Sequence, residues 1–162
     1  MSGAMEQLYQ QLILEHAKHP HARGLVDGAA AESHQVNPTC GDEVTLRVHL
    51  APDGAEPTVS RISWVGQGCS ISQASVSVMA DLVAGATVGR AEHLGETFRA
   101  LMRSRGEGLS DDLEDELGDA TAFTGVAQFP ARIKCALLGW AALRDALVQA
   151  GATSGPTDEE DS

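Results

Sequence analysis

Hydrophobic positions recur along this chain at two different spacings, and the changes of spacing divide it into elements. In EQLYQQLILEHAKHP, Leu8, Leu12 and Ile13 recur at helical intervals, which predicts a helix ending before Pro20. The next stretch, HARGLVDGAAAESHQV, is rich in Gly and Ala and reads as a loop. EVTLRVHLA then alternates: Val44, Leu46, Val48 and Leu50 point one way, and Thr45, Arg47 and His49 the other. That is the pattern of a half-buried strand. PDGAEP reads as a turn. TVSRISWVG alternates less regularly through Val59, Ile62 and Trp64. Together these segments predict a β-hairpin pairing residues 44–51 with 58–66.

Beyond the hairpin the period returns to that of helices. SISQASVSVMADLVAG predicts a helix capped by Ser70 or Ser72 and closed near Gly85. RAEHLGETFRALMRSRG predicts another, with Leu94, Phe98, Leu101 and Met102 on one side. EGLSDDLEDELGD is acidic and broken by glycine, and reads as a short solvated connection with one helical turn. The last large element is PARIKCALLGWAALRDALVQAG. Pro130 suits a first-turn position, and Ile133, Ala136, Leu137, Trp140, Leu143 and Leu147 form one apolar stripe. A helix, then strands, then helices predict an α+β fold: a small antiparallel β-sheet packed with helices, ending in a long C-terminal helix.

Composition narrows the function. The 162 residues suit one domain, over 5–150, and the ending GATSGPTDEEDS reads as an acidic, disordered tail over 151–162. The formal net charge of -12 repels phosphate backbones, so neither nucleic acid nor an anionic membrane is an expected partner. The longest apolar run, Cys135–Leu143, is far short of the roughly 20 residues that span a bilayer. Residues 1–16 lack a basic start followed by a long apolar run, so the expected location is the cytoplasm. Three cysteines, an odd number, argue against a closed disulfide framework.

Those cysteines are the candidate chemistry. Cys40 precedes the first hairpin strand, Cys69 follows the second, and Cys135 lies within the long helix. Antiparallel pairing would bring Cys40 and Cys69 together. In NPTCGDEVTL, Asp42 stands two residues after Cys40; on extended chain the two face one point, and Gly41 permits a close approach or a sharp turn. Cys69 lies just ahead of a helix N-terminus, which favours a thiolate. Three thiols and a carboxylate form a four-ligand set suited to Zn²⁺, or to an iron–sulfur cluster. Arg132, three residues before Cys135, would offset the negative charge and orient Asp42. The plainer reading is that each cysteine fills the core. His16, His19 and His21 could suggest a second metal, but read more simply as surface residues at a helix C-terminus. His34, His49 and His93 are isolated, and Asp111–Glu116 is most simply a solvated run.

Taken together, NPTCGDEVTLRV, GQGCSISQASVSVM and FPARIKCALLGWAAL resemble the IscU/NifU-like iron–sulfur assembly proteins, and more closely the SufU branch of that family. LYQQLILEHAKHPHARG extends the similarity over nearly all of residues 5–149. The resemblance implies Zn²⁺ bound by Cys40, Asp42, Cys69 and Cys135, with Arg132 beside the metal. It implies a sulfurtransferase that stimulates a SufS-type cysteine desulfurase. Cys40 would accept persulfide sulfur from that enzyme and pass it to downstream cluster-assembly proteins. The alternative within the family is a [2Fe–2S] assembly scaffold. Scaffold-type members usually carry histidine directly before the third cysteine, where this chain has Lys134, and they lack the insertion that MRSRGEGLSDDLEDELGDATAFTGVAQ resembles.

Overall fold

A computed structural model describes residues 3–52 and 56–151. The expected tail lies outside the described residues, apart from Gly151, as does the centre of the PDGAEP turn. Helix α1 (Gly3–Lys18) leads into a three-stranded antiparallel sheet of β1 (Ala31–Asn37), β2 (Asp42–Ala51) and β3 (Thr58–Gln67), in that order. Helices α2 (Ser70–Val83), α3 (Val88–Arg103), α4 (Asp111–Leu117) and α5 (Pro130–Gln149) follow, with a run of 3₁₀ turns over Gly118–Gln128 before α5. The fold is α+β, with the long C-terminal helix in place. No described helix is long and apolar enough to cross a membrane.

The expected hairpin is present as β2 and β3, and its irregular alternation has a local cause. His49 pairs with Arg61, but Leu50 pairs with Val59. Ser60 is thus the extra residue of a β-bulge, and its hydroxyl donates to the His49 carbonyl at 3.0 Å. The bulge switches parity, so Val59, Ile62 and Trp64 all reach the core; His49, on the side of β2 opposite Val48, is buried against Ser63. The segment before the hairpin is not all loop, since Ala31–Asn37 forms β1. Its inward positions are the polar Ser33 and Asn37, so no hydrophobic alternation marks it. Ser33 donates instead to Asp145 of α5 at 2.7 Å. On the outer face Glu32 and Arg47 pair across the strands at 2.7 Å. The free edge of β3 is covered by residues 22–24: Gly24 N–H donates to the Trp64 carbonyl and Trp64 N–H to that of Ala22.

Helix assignments hold with shifts in face and cap. In α1, Leu8 is exposed, and the buried side runs through Tyr9, Leu12, Ile13 and His16. His16 is therefore no surface residue, although His19 and His21 are exposed. Burial holds the His16 ring below the ordinary imidazole range. Helix α2 is capped by neither serine: its N-cap is Cys69, and Ser72 donates back to the Cys69 carbonyl at 3.1 Å. The acidic stretch forms α4, capped by Ser110, with Asp111, Asp112 and Glu114 in the favoured first turn. Leu117 then anchors it in the core, fully buried. Beneath it Phe98 stacks on Trp140, with ring centroids 5.1 Å apart, and meets Phe123 edge-on at 5.9 Å.

Helix α5 packs on both β1 and β2 and also against α2. Its contact with α2 depends on Gly139, where a Cβ would approach Val76 Cγ2 at 2.5 Å and Cα at 3.4 Å. Gly139→Ala should lower stability by about 1–3 kcal/mol despite alanine's higher helix propensity. Urea unfolding measures it; an unchanged or raised midpoint would show that the helices separate freely. His49 supplies a pH dependence. Burial lowers its pKa, Arg61 and Arg47 lower it further, and the ring bonds to Ser63 at 2.9 Å. The unfolded state then takes up the proton first as pH falls. The stability from His49 is complete above about pH 6.5 and is lost as pH drops through and below that value. Urea midpoints between pH 8 and pH 5 should fall less steeply in His49→Gln than in the parent protein.

Candidate metal centre

Two chain turns and one helix meet at a single edge of the sheet. The β1–β2 connection is Pro38–Gly41: Asn37 pairs with Asp42, and the Asn37 carbonyl accepts from Cys40 N–H at 3.2 Å and Gly41 N–H at 2.8 Å. Gly41 has φ +75°, the left-handed conformation in which glycine is least strained. Cys40 and Asp42 therefore converge because the chain turns between them, not because it is extended. Cys40 is exposed at the turn, while Asp42, the first residue of β2, has no exposed surface.

The register of β2 with β3 pairs Glu43 with Gln67 and so delivers Gly68 and Cys69 beside Asp42. A Cβ at Gly68 would overlap the Asp42 carboxylate and stand 2.9 Å from its Cα. Gly68, at φ +141°, is thus glycine to admit the carboxylate. Asp42 Oδ1 accepts the Cys69 N–H at 2.9 Å, at the start of α2, and the Cys69 Sγ lies 3.8 Å from Oδ2. Cys135 is buried in the second turn of α5, its Sγ 3.7 Å from the Ala131 carbonyl. The ligand atoms of Cys40, Asp42 and Cys135 all lie within 4.8 Å of one another. Cys69 joins them through Asp42. Burial pushes the Cys135 thiol far above its ordinary range, and Asp42, Cys69 and Cys40 push it the same way. The four residues singled out in the sequence are therefore gathered at one place.

Arg132, three residues before Cys135, makes contact with an aromatic ring. Its guanidinium lies over the Phe129 ring, 5.5 Å from the centroid, and no ion pair joins it to Asp42 among the described residues. Asn37 is a group that sequence reasoning missed: it is buried, and its Nδ2 has no hydrogen-bond partner among the described residues. An Asn-Pro pair before a turn signals chain geometry, not an unspent donor.

The family model described as the NifU-like N terminal domain matches residues 8–147. This chain belongs to the NifU-like family. Among NifU-like proteins, the iron–sulfur cluster assembly scaffold protein IscU of Streptococcus pyogenes serotype M1 is 37% identical, over 96% of this chain and 92% of the relative. The zinc-dependent sulfurtransferase SufU of Bacillus subtilis (strain 168) is also 37% identical, over 86% of this chain and 88% of the relative. The crystal structure of a putative iron–sulfur cluster assembly scaffold protein for the SUF system from Fervidobacterium islandicum AW-1 superimposes with a TM-score of 0.73. It is 32% identical and covers 88% of this chain and 98% of that one.

The NifU-like site has the chemistry of a divalent-metal centre. A fully buried carboxylate is costly without a nearby cation, and no cationic side chain pairs with Asp42 among the described residues. Burial likewise disfavours the charged form of the Cys135 thiol. A soft divalent ion would answer both deficits. Gly68→Ala should lower unfolding free energy by about 1–3 kcal/mol, because the new methyl and the Asp42 carboxylate claim the same space. Amide hydrogen exchange at Cys69 should accelerate as its bond to Asp42 is lost; unaltered exchange would dissociate Gly68 from the placement of the carboxylate.

Proposed function

We propose that this protein is a zinc-dependent sulfurtransferase that takes persulfide sulfur from a SufS-type cysteine desulfurase, stimulates that enzyme, and hands the sulfur to iron–sulfur cluster assembly. Cys40, Asp42, Cys69 and Cys135 would hold the Zn²⁺. The observation that carries this reading is the convergence of one exposed thiol, on a glycine-flanked turn, with a buried thiol and a buried carboxylate. The name of the Bacillus subtilis relative supports it. So does Lys134, exposed beside Cys135, at the position where scaffold-type members of the family usually carry histidine.

When bound, Zn²⁺ would keep the cysteines as thiolates near neutral pH. The rest is the chain's own work. The Cys40 Sγ attacks the outer sulfur of the desulfurase persulfide. A new S–S bond forms at Cys40, the partner's S–S bond breaks, and the partner cysteine leaves as a thiolate with no net change in oxidation. Cys40 is the donor best placed to swing toward a docked enzyme, since it is exposed on a turn, whereas Cys69, also exposed, is fixed at the N-cap of α2 by its amide bond to Asp42. Asp42 is held by the Cys69 amide and Cys135 by a buried helix. The scaffold reading keeps one specific support: the Streptococcus pyogenes relative is as close in identity.

Purified protein should retain about one Zn²⁺ per chain through exhaustive dialysis, and Asp42→Ala and Cys69→Ala should lose it. Well-folded protein without zinc would sink the proposal. Cys40→Ser should abolish persulfide capture and most desulfurase stimulation. A Cys40→Ser protein that stimulates fully would reduce the chain to a docking activator, and a transferable cluster after anaerobic reconstitution would favour the scaffold.

A further inference from the structure

A second group of metal-capable side chains lies at the other end of α2. From Cys69, at the N-cap, to Asp81, in the last turn, the helix rises roughly 18 Å, so the two groups are separate. His16, from the last turn of α1, His21, from the loop that follows, and Asp81 bring their ligand atoms within 4.8 Å of one another. The two imidazoles are adjacent, with centroids 4.5 Å apart and planes tilted by 49°.

The surroundings hold these groups in place. Ser77 Oγ lies 2.7 Å from His16 Nδ1 and accepts the His21 backbone N–H at 2.7 Å. On the other side, the His21 carbonyl accepts Trp64 Nε1–H at 2.9 Å. One serine thus fixes the ring of the buried histidine and the backbone of the exposed one. With Nδ1–H donated to Ser77, His16 keeps a lone pair on Nε2 for a ligand, which is the arrangement that orients metal-binding histidines elsewhere. His21 and Asp81 are each about half exposed and already meet, Nδ1 to Oδ2, at 2.5 Å. Asp119 and Glu15 add negative charge that acts on the His16 ring. Ligand atoms around a tetrahedral Zn²⁺ with bonds of about 2.0–2.1 Å stand roughly 3.3 Å apart, so modest rotamer changes would close this set.

We propose that His16, His21 and Asp81 form a second divalent-metal site, for a first-row transition ion of the Zn²⁺ type. Two imidazoles and one carboxylate favour such an ion over Mg²⁺ or Ca²⁺. Half-exposed His21 and Asp81 leave the ion's remaining positions open to water, so it exchanges with solvent where the buried thiol centre holds its ion. The site is independent of the thiol centre and of the function proposed for it.

The test is calorimetric titration of exhaustively dialysed full-length protein with Zn²⁺, run in parallel on His21→Ala and Asp81→Asn. Both substitutions are at half-exposed positions, and circular dichroism checks that the fold is kept. The expected result is one further equivalent of Zn²⁺ bound by the parent protein, with affinity reduced at least about tenfold in each variant. Metal retained through dialysis should be the same in all three proteins, and Mg²⁺ should give no such binding. No uptake by the parent protein, or uptake equal in parent and both variants, overturns the proposal. Loss of the dialysis-resistant metal in Asp42→Ala, with this uptake intact, would keep the two sites distinct.

Discussion

The site is organised around one carboxylate that water cannot reach. Asp42 has no exposed surface, so its charge must be answered from within the fold. The backbone supplies part of that answer: the Cys69 amide, at the positive end of α2, donates to Oδ1. This bond requires the end of β3 to lie against the start of β2, and there the chain can spare no side-chain volume. A Cβ at Gly66 would stand 2.6 Å from the Glu43 carbonyl, and one at Gly68 would overlap Asp42 itself. The two glycines, the strand register and the helix start are thus consequences of seating one acid.

A polar strand can form the edge of this sheet because its buried side is answered by a helix. β1 buries Ser33 and Asn37 rather than aliphatic groups, and Ser33 is satisfied by Asp145 of α5. That contact ties β1 to the helix that carries Cys135 ten residues earlier. The stacked Phe98 and Trp140 and the close approach of Gly139 to Val76 hold α5 from its other side. Cys135 is therefore positioned by core packing, Asp42 by the sheet, and Cys40 by a turn alone.

How much of this could be read beforehand follows from where the signals lie. Val44, Leu46 and Val48 announced β2 because their burial is hydrophobic; Ser33 and Asn37 concealed β1 because theirs is not. The parity switch at Ser60 blurs the pattern of β3, since a bulge leaves no mark in composition. The acidic run looked solvated, yet Leu117 docks α4. In the sequence, spacing around the hairpin brings Cys40, Asp42 and Cys69 together, whereas Cys135, on a distant helix, joins them only through the family resemblance. The contacts of Arg132 were not legible, because a helical spacing of three fixes a face and not a partner: its guanidinium lies over Phe129. His16 was misjudged because burial at the end of α1 depends on Ser77, sixty-one residues away.

The unequal anchoring of the donors bears on what the centre can do. A metal held by four equally rigid ligands would be a structural clip, and no thiol in it would be free to react. Here one exposed donor, Cys40, rests on Pro38–Gly41, where Gly41 adopts φ +75° without strain, while Cys69, also exposed, is fixed at the N-cap of α2 by its amide bond to Asp42. The buried donors rest on a strand and a helix whose displacement would disturb the core. Moving Cys40 costs a local turn; moving Cys135 or Asp42 costs packing around Trp140 or the Cys69 amide bond. An arrangement with one cheap and several costly donors would suit the proposed sulfur transfer, in which a nucleophile is exposed briefly and then withdrawn.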